Sequence, residues 1–278
     1  MRVSHLVRTV VVAFALLALP PVSAPAAASD FWDEVRTPGL REWKRNVREA
    51  RAAAAAGNWD AALAESEAAI ARIEDRAEAH VLRGRALGEL GRLDVAITAF
   101  SRALELDETT LDSAEDGVHA ARIAASARAP ELAVRILPRV LGNMRPSSER
   151  ADLYALYGDV LSALGPEYLR RAIVAYREAT RHGGRGGVQA ALALALALRR
   201  AGEELEASDL ARDVAARGRV DALVGGVAVP EPERAARRAV VLDAIGDRAG
   251  AREAWEEALA SEVWRVHTLY FLGRGPEP

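Results

Sequence analysis

Apolar and polar residues follow one another along this chain in the rhythm of amphipathic helices, and glycine interrupts that rhythm at regular intervals. From Gly91 to Phe100 the chain reads GRLDVAITAF, with an alanine five positions after the glycine and an aromatic four positions after that alanine. Gly57 and Ala62 stand 34 positions before Gly91 and Ala96, and Ala69 stands the same distance before Ala103. A fixed period of this length predicts stacked helical hairpins. A glycine after the first helix of a pair takes the left-handed conformation that ends it, so the second helix starts near Asp94. Ala96 then lies where the paired helices cross most closely, Phe100 fills the widening gap one turn on, and Ala103 faces the next pair.

The units 43–76 and 77–110 join without a gap, and the second carries Gly84, Leu87, Gly91, Ala96, Phe100 and Ala103 at positions 8, 11, 15, 20, 24 and 27. This pattern resembles the tetratricopeptide repeat (TPR). Four looser copies are placed by Ala133, Ala172, Ala207 and Ala251, giving units at about 114–147, 151–186, 188–221 and 232–260. The resemblance implies an all-α fold, a right-handed α-solenoid of about six hairpins, with residues 29–42 leading in and 261–278 forming a capping helix and tail. Two positions depart from the pattern: Glu108 replaces the family's proline, and Arg128 stands where the third unit needs its turn glycine.

Residues 191–198 read ALALALAL, a strand-like alternation built from the two strongest helix formers, and the prediction is helix. Leu192 and Leu196 share one face of it and Leu194 and Leu198 nearly the opposite one. HGGRGG at 182–187 lacks the lysine and hydroxyl residue of a phosphate loop and is read as a connector, and GGVAVPEPE at 225–233 as the longest break between units.

Composition adds a location. Arg2 and Arg8 bound a short basic region, Thr9 to Leu19 is apolar, and APAAASD offers small residues at Ala26 and Ala28, so residues 1–28 are expected to be a signal peptide cleaved near Ala28. The run is too short to span a bilayer, so the expected product is periplasmic or secreted, with no membrane span in the mature chain. The chain has no cysteine, and its formal charge of −3 argues against nucleic-acid binding.

No nucleophile–base pair or carboxylate pair stands out, and His80, His119, His182 and His267 show no metal-ligand spacing. The acids Asp107, Glu108, Asp112, Glu115 and Asp116 lack the order of a calcium loop and suit helix capping. No catalytic residue, cofactor or metal is therefore expected.

Binding is the expectation instead. The resemblance implies that the first helices of the hairpins line a concave groove, and position 9 of the first three units is Arg51, Arg85 and Arg122. Leu192, Leu196, Arg199 and Arg200 occupy groove positions of the fifth unit. Together they suggest a protein or peptide partner with acidic groups and an apolar anchor. The resulting expectation is a non-enzymatic scaffold or assembly adaptor of the bacterial envelope. The alternative is an accessory in export or organisation of an envelope polysaccharide.

Overall fold

Side chains no larger than a methyl recur wherever two rods must cross, and the architecture follows from that spacing. The computed structural model describes Val35 and residues 37–181, 184–217 and 229–273. The proposed signal peptide lies outside the described residues. In chain order the helices are α1 (Leu40–Ala55), α2 (Trp59–Arg72), α3 (Ala77–Glu89), α4 (Leu93–Leu106), α5 (Ala114–Ser126), α6 (Pro130–Asn143), α7 (Ser148–Leu164) and α8 (Leu169–Arg181). They continue as α9 (Gly184–Arg200), α10 (Glu204–Arg217), α11 (Glu231–Ala244), α12 (Arg248–Ala258) and the short α13 (Arg265–Phe271). There is no strand among the described residues. The helices pair as α1/α2, α3/α4, α5/α6, α7/α8, α9/α10 and α11/α12, and each pair packs against the next, giving an all-α solenoid with six hairpins among the described residues.

The six alanines used to place the units, Ala62, Ala96, Ala133, Ala172, Ala207 and Ala251, are all within 1% of complete burial. On the partner helices, the facing positions hold Ala50, Gly84, Ala121, Gly158, Ala195 and Ala239, every one of them buried. Two of these are glycine for a visible reason. A Cβ on Gly84 would stand 2.8 Å from the Phe100 ring, and one on Gly158 would stand 2.3 Å from the Tyr176 ring. The large aromatics of α4 and α8 therefore require an empty site across the hairpin.

The hairpin turns share one mechanism. Gly57, Gly91, Gly202 and Gly246 take φ between 71° and 86°. In each case the following residue donates its N–H back across the helix end: Asn58 to Ala53, Arg92 to Leu87, Glu203 to Leu198 and Asp247 to Leu242, all at 2.9 Å. The third turn makes the same bond, Ala129 to Ala124 at 2.9 Å, around Arg128 at φ 55°, the one left-handed non-glycine among the described residues. The pattern's missing glycine thus leaves the turn's geometry unchanged. The fourth turn differs: Gly165 at φ 127° leads into a 3-10 turn at Pro166–Tyr168, which accommodates the extra residues of that unit.

Two boundaries differ from those read in the sequence. Helix α1 begins at Leu40, inside the stretch assigned as lead-in, because Leu40 and Trp43 already face the core. Helix α9 begins at Gly184, inside the segment read as a connector. First-turn N–H groups need no intrahelical acceptor, so glycine is tolerated at that end. The ALALALAL segment is helical and apolar on both sides: Leu194 and Leu198 join the core shared with α8, while Leu192 and Leu196 join the one shared with α11 and α12.

Substitutions at the crossings and at the third turn should move stability in opposite directions. Gly158→Ala is expected to cost about 2 kcal/mol through overlap with Tyr176, whereas Arg128→Gly should gain about 1 kcal/mol by relieving the left-handed backbone. Urea unfolding of the two variants against the parent measures both.

Candidate functional site

The first helices of the opening three hairpins, α1, α3 and α5, lie side by side and bound a cavity of about 390 Å³. Its wall combines the hydrocarbon of Val81, Leu82 and Leu106 with the charged groups of Arg51, Arg76, Asp75, Glu78, Asp107 and Asp116. Trp43 also lines it, only 6% exposed, and its indole N–H meets no acceptor among the described residues. The Arg76 guanidinium sits 5.0 Å above the Trp43 ring.

The expected row of arginines is present along this face, and each member is already matched. Arg51 pairs with Glu78 at 2.5 Å, Arg85 with Glu115 at 3.0 Å, and Arg122 with Glu149 at 3.6 Å. In every pair the carboxylate comes from the hairpin that follows, so the ladder joins α1 to α3, α3 to α5 and α5 to α7. Asp116 lies 3.9 Å from Arg85 as well. Neighbouring groups leave His119 neutral: burial and the Arg85 charge hold its imidazole below the ordinary histidine value, against the opposing pull of Glu89. Asp107 stays ionised, held below the ordinary aspartate value by hydrogen bonds from the Thr109 hydroxyl and backbone N–H. The cavity wall therefore carries more carboxylates than guanidinium groups.

This changes the reading of the partner's charge. An acidic ligand would have to compete with Glu78, Glu115 and Glu149 for guanidinium groups whose charge is already matched between hairpins. The four residues predicted in the fifth unit are corrected more sharply. Leu192 and Leu196 are 0% and 1% exposed, so they are core side chains with no surface to offer. The Arg200 side chain is 2% exposed and held by both carboxylate oxygens of Glu233, at 2.9 and 2.7 Å. Arg199 pairs with Asp243 at 2.7 Å beneath the rings of Trp255 and Phe271. The structure brings Arg51 alone of the predicted residues to the cavity wall. Asp75 and Arg76 were missed because they lie in the link between α2 and α3, and Trp43 because it lies in the first turn of α1, away from the groove positions read in the sequence.

The C-terminal half of the same face is occupied by the chain itself. Trp264 is 2% exposed; its indole N–H donates to the Ser162 carbonyl at 3.0 Å, and Arg200 lies 4.0 Å over its ring. The expected cap is thus anchored on α7, two hairpins back, as well as on α12. Val266 and Tyr270 remain exposed on its outer side. His80 is buried with its Nε2 2.8 Å from the Glu74 carbonyl oxygen. Among the described residues no cluster of metal-ligand type occurs, and no helix is long and apolar enough to cross a membrane.

The family model described as tetratricopeptide repeat matches residues 77–110, the segment of α3 and α4. No curated protein matches the chain. Among solved structures it is similar to YrrB, described as a TPR protein with an unusual peptide-binding site, at 18% identity over 74% of this chain and 96% of that one, with a TM-score of 0.44. It is similar to Pseudomonas aeruginosa pilF at 16% identity over 83% and 96%, with a TM-score of 0.47. It is also similar to the C-terminal part of a TPR repeat-containing protein from Cytophaga hutchinsonii at 15% identity over 89% and 94%, with a TM-score of 0.44.

The ladder has a measurable signature. Arg51→Glu combined with Arg85→Glu turns two attractions into repulsions against the solvent-exposed Glu78 and Glu115 and should cost about 1 kcal/mol at low salt. High salt should erase most of that difference in unfolding midpoint.

Proposed function

We propose that this chain, whose second hairpin matches the tetratricopeptide repeat, is a non-enzymatic interaction scaffold that holds a protein segment against α1, α3 and α5. The observation that carries the reading is the open cavity between those helices, with its exposed Asp75 and Arg76 and its surplus of carboxylates. An apolar side chain of the bound segment covers Val81 and Leu82, and the carboxylate surplus selects a basic neighbour. The neutralised arginine ladder is what turns the preference away from acidic segments.

The location belongs to the same proposal. Residues 1–28 carry the basic start, short apolar run and small-residue close of an export signal, and an exported scaffold acts in the cell envelope. Its role there is to position or assemble other envelope proteins.

A photo-crosslinker introduced at position 76, on the cavity, and at position 102, exposed on α4, tests the groove in cells. The expected result is a discrete crosslinked partner from position 76 that is absent from position 102 and is competed by lysine-containing peptides more strongly than by glutamate-containing ones. Equal capture from both positions would remove the groove assignment. The N-terminal residue of the purified mature chain checks the export proposal, with cleavage expected after Ala28.

A further inference from the structure

Charge on the surface of the later helices is largely balanced within a single turn. Arg102 pairs with Glu105, Arg181 with Glu178, Arg212 with Asp209 and Arg252 with Glu256. Helix α1 breaks that pattern. In a chain whose formal charge is −3, it carries five basic residues against two acids. Lys44, Arg45 and Arg48 follow Arg41 at three, four and seven positions, which places all four on one face, and all four are exposed. Lys44, Arg45 and Arg48 make no ion pair among the described residues. The acids of the helix leave them unmatched: Glu42 is committed to Arg72 at 2.9 Å, and Glu49 flanks the stripe without pairing with it.

The stripe lies opposite the side chains that hold α1 in the fold. Leu40, Trp43, Val47, Ala50 and Ala54 bury the other side of the helix against α2 and α3. Arg51, the fifth basic residue, stands off the stripe and reaches Glu78 of α3. No hairpin precedes α1 among the described residues, so the basic face is an outer face at one end of the solenoid. Neither Arg41, Lys44, Arg45 nor Arg48 lines the cavity between α1, α3 and α5.

The arrangement costs the free helix stability. Lys44 and Arg48 stand one turn apart, as do Arg45 and Arg48, and like charges at that spacing repel. A surface of opposite sign relieves the repulsion. The stripe runs about 10 Å along the helix, its charges lie in one row, and no apolar side chain interrupts it. A bound peptide needs an apolar or main-chain anchor to hold it in one register, and this face offers neither. A plane of anionic headgroups needs only the charges.

We propose that the outer face of α1 binds the surface of an anionic phospholipid bilayer, with Arg41, Lys44, Arg45 and Arg48 set among the phosphate groups. The contact is peripheral and electrostatic, and no side chain of the stripe enters the hydrocarbon. It is independent of the groove reading, because the cavity and the stripe occupy different faces of α1.

Flotation of residues 29–278 with vesicles tests the proposal; this span keeps every described residue and omits the apolar run at Thr9 to Leu19, which would bind lipid by itself. The vesicles are phosphatidylcholine alone, and phosphatidylcholine mixed with phosphatidylglycerol in equal amounts. Saturable binding is expected only with phosphatidylglycerol present, and high salt should release most of it. Lys44→Gln, Arg45→Gln and Arg48→Gln combined should keep the parent's circular dichroism and weaken that binding roughly tenfold or more. Arg92→Gln, Arg170→Gln and Arg248→Gln combined remove the same charge from exposed positions elsewhere and should leave it nearly unchanged. No binding to the anionic vesicles, as when the stripe serves an acidic protein instead, would overturn the proposal. So would equal binding to neutral vesicles, full binding by the folded α1 variant, or an equal loss from both triple variants.

Discussion

Close approach of paired helices is the constraint on which the rest of this molecule depends. Six alanines on the second helices face six alanines or glycines on the first, and none of the twelve has room for a longer side chain without separating the rods. In four of the six hairpins the bulk that keeps the pair from collapsing sits one turn further along, in Phe100, Leu137, Tyr176 and Trp255, whereas Ser66 and Ala211 hold that place in the first and fifth. Where the bulk is aromatic and close, as with Phe100 and Tyr176, the opposing residue is glycine. Packing density, more than helix propensity, sets the register of every pair.

The two halves use charge in different ways. In the first half, ion pairs lie on the surface between successive hairpins, where solvent and salt weaken them. In the second, Asp159–Arg237 and Glu233–Arg200 are enclosed, and each carboxylate is shared with or adjoined by further donors. Burying such pairs gains little over hydrocarbon, but removing one partner leaves an uncompensated charge at a cost of about 3–5 kcal/mol. These pairs therefore specify which hairpin packs on which.

The periodic features were legible in the sequence because they recur: Gly57, Gly91, Gly202 and Gly246 mark turns, and the spaced alanines mark crossings. Even Arg128 was located by its place in the pattern, although its type gives no hint of a left-handed backbone. The site was far less legible. Position within a repeat says which face a side chain occupies, but not whether another part of the chain covers that face. Arg200 and Leu192 sit at groove positions and are buried because α11 and the segment around Trp264 close over them. Nor does spacing reveal that Glu78, Glu115 and Glu149 each lie within reach of an arginine in the preceding hairpin.

An array of hairpins that touch only their neighbours has no long-range topology; it can zip from any point and fray from either end. The hydrogen bond from Trp264 to Ser162 spans 102 residues and breaks that rule. It ties the last three hairpins into a ring of contacts that must form together, raising the contact order of this part alone. Contacts in the leading half are consequently local, whereas the trailing half cannot close until its final indole arrives.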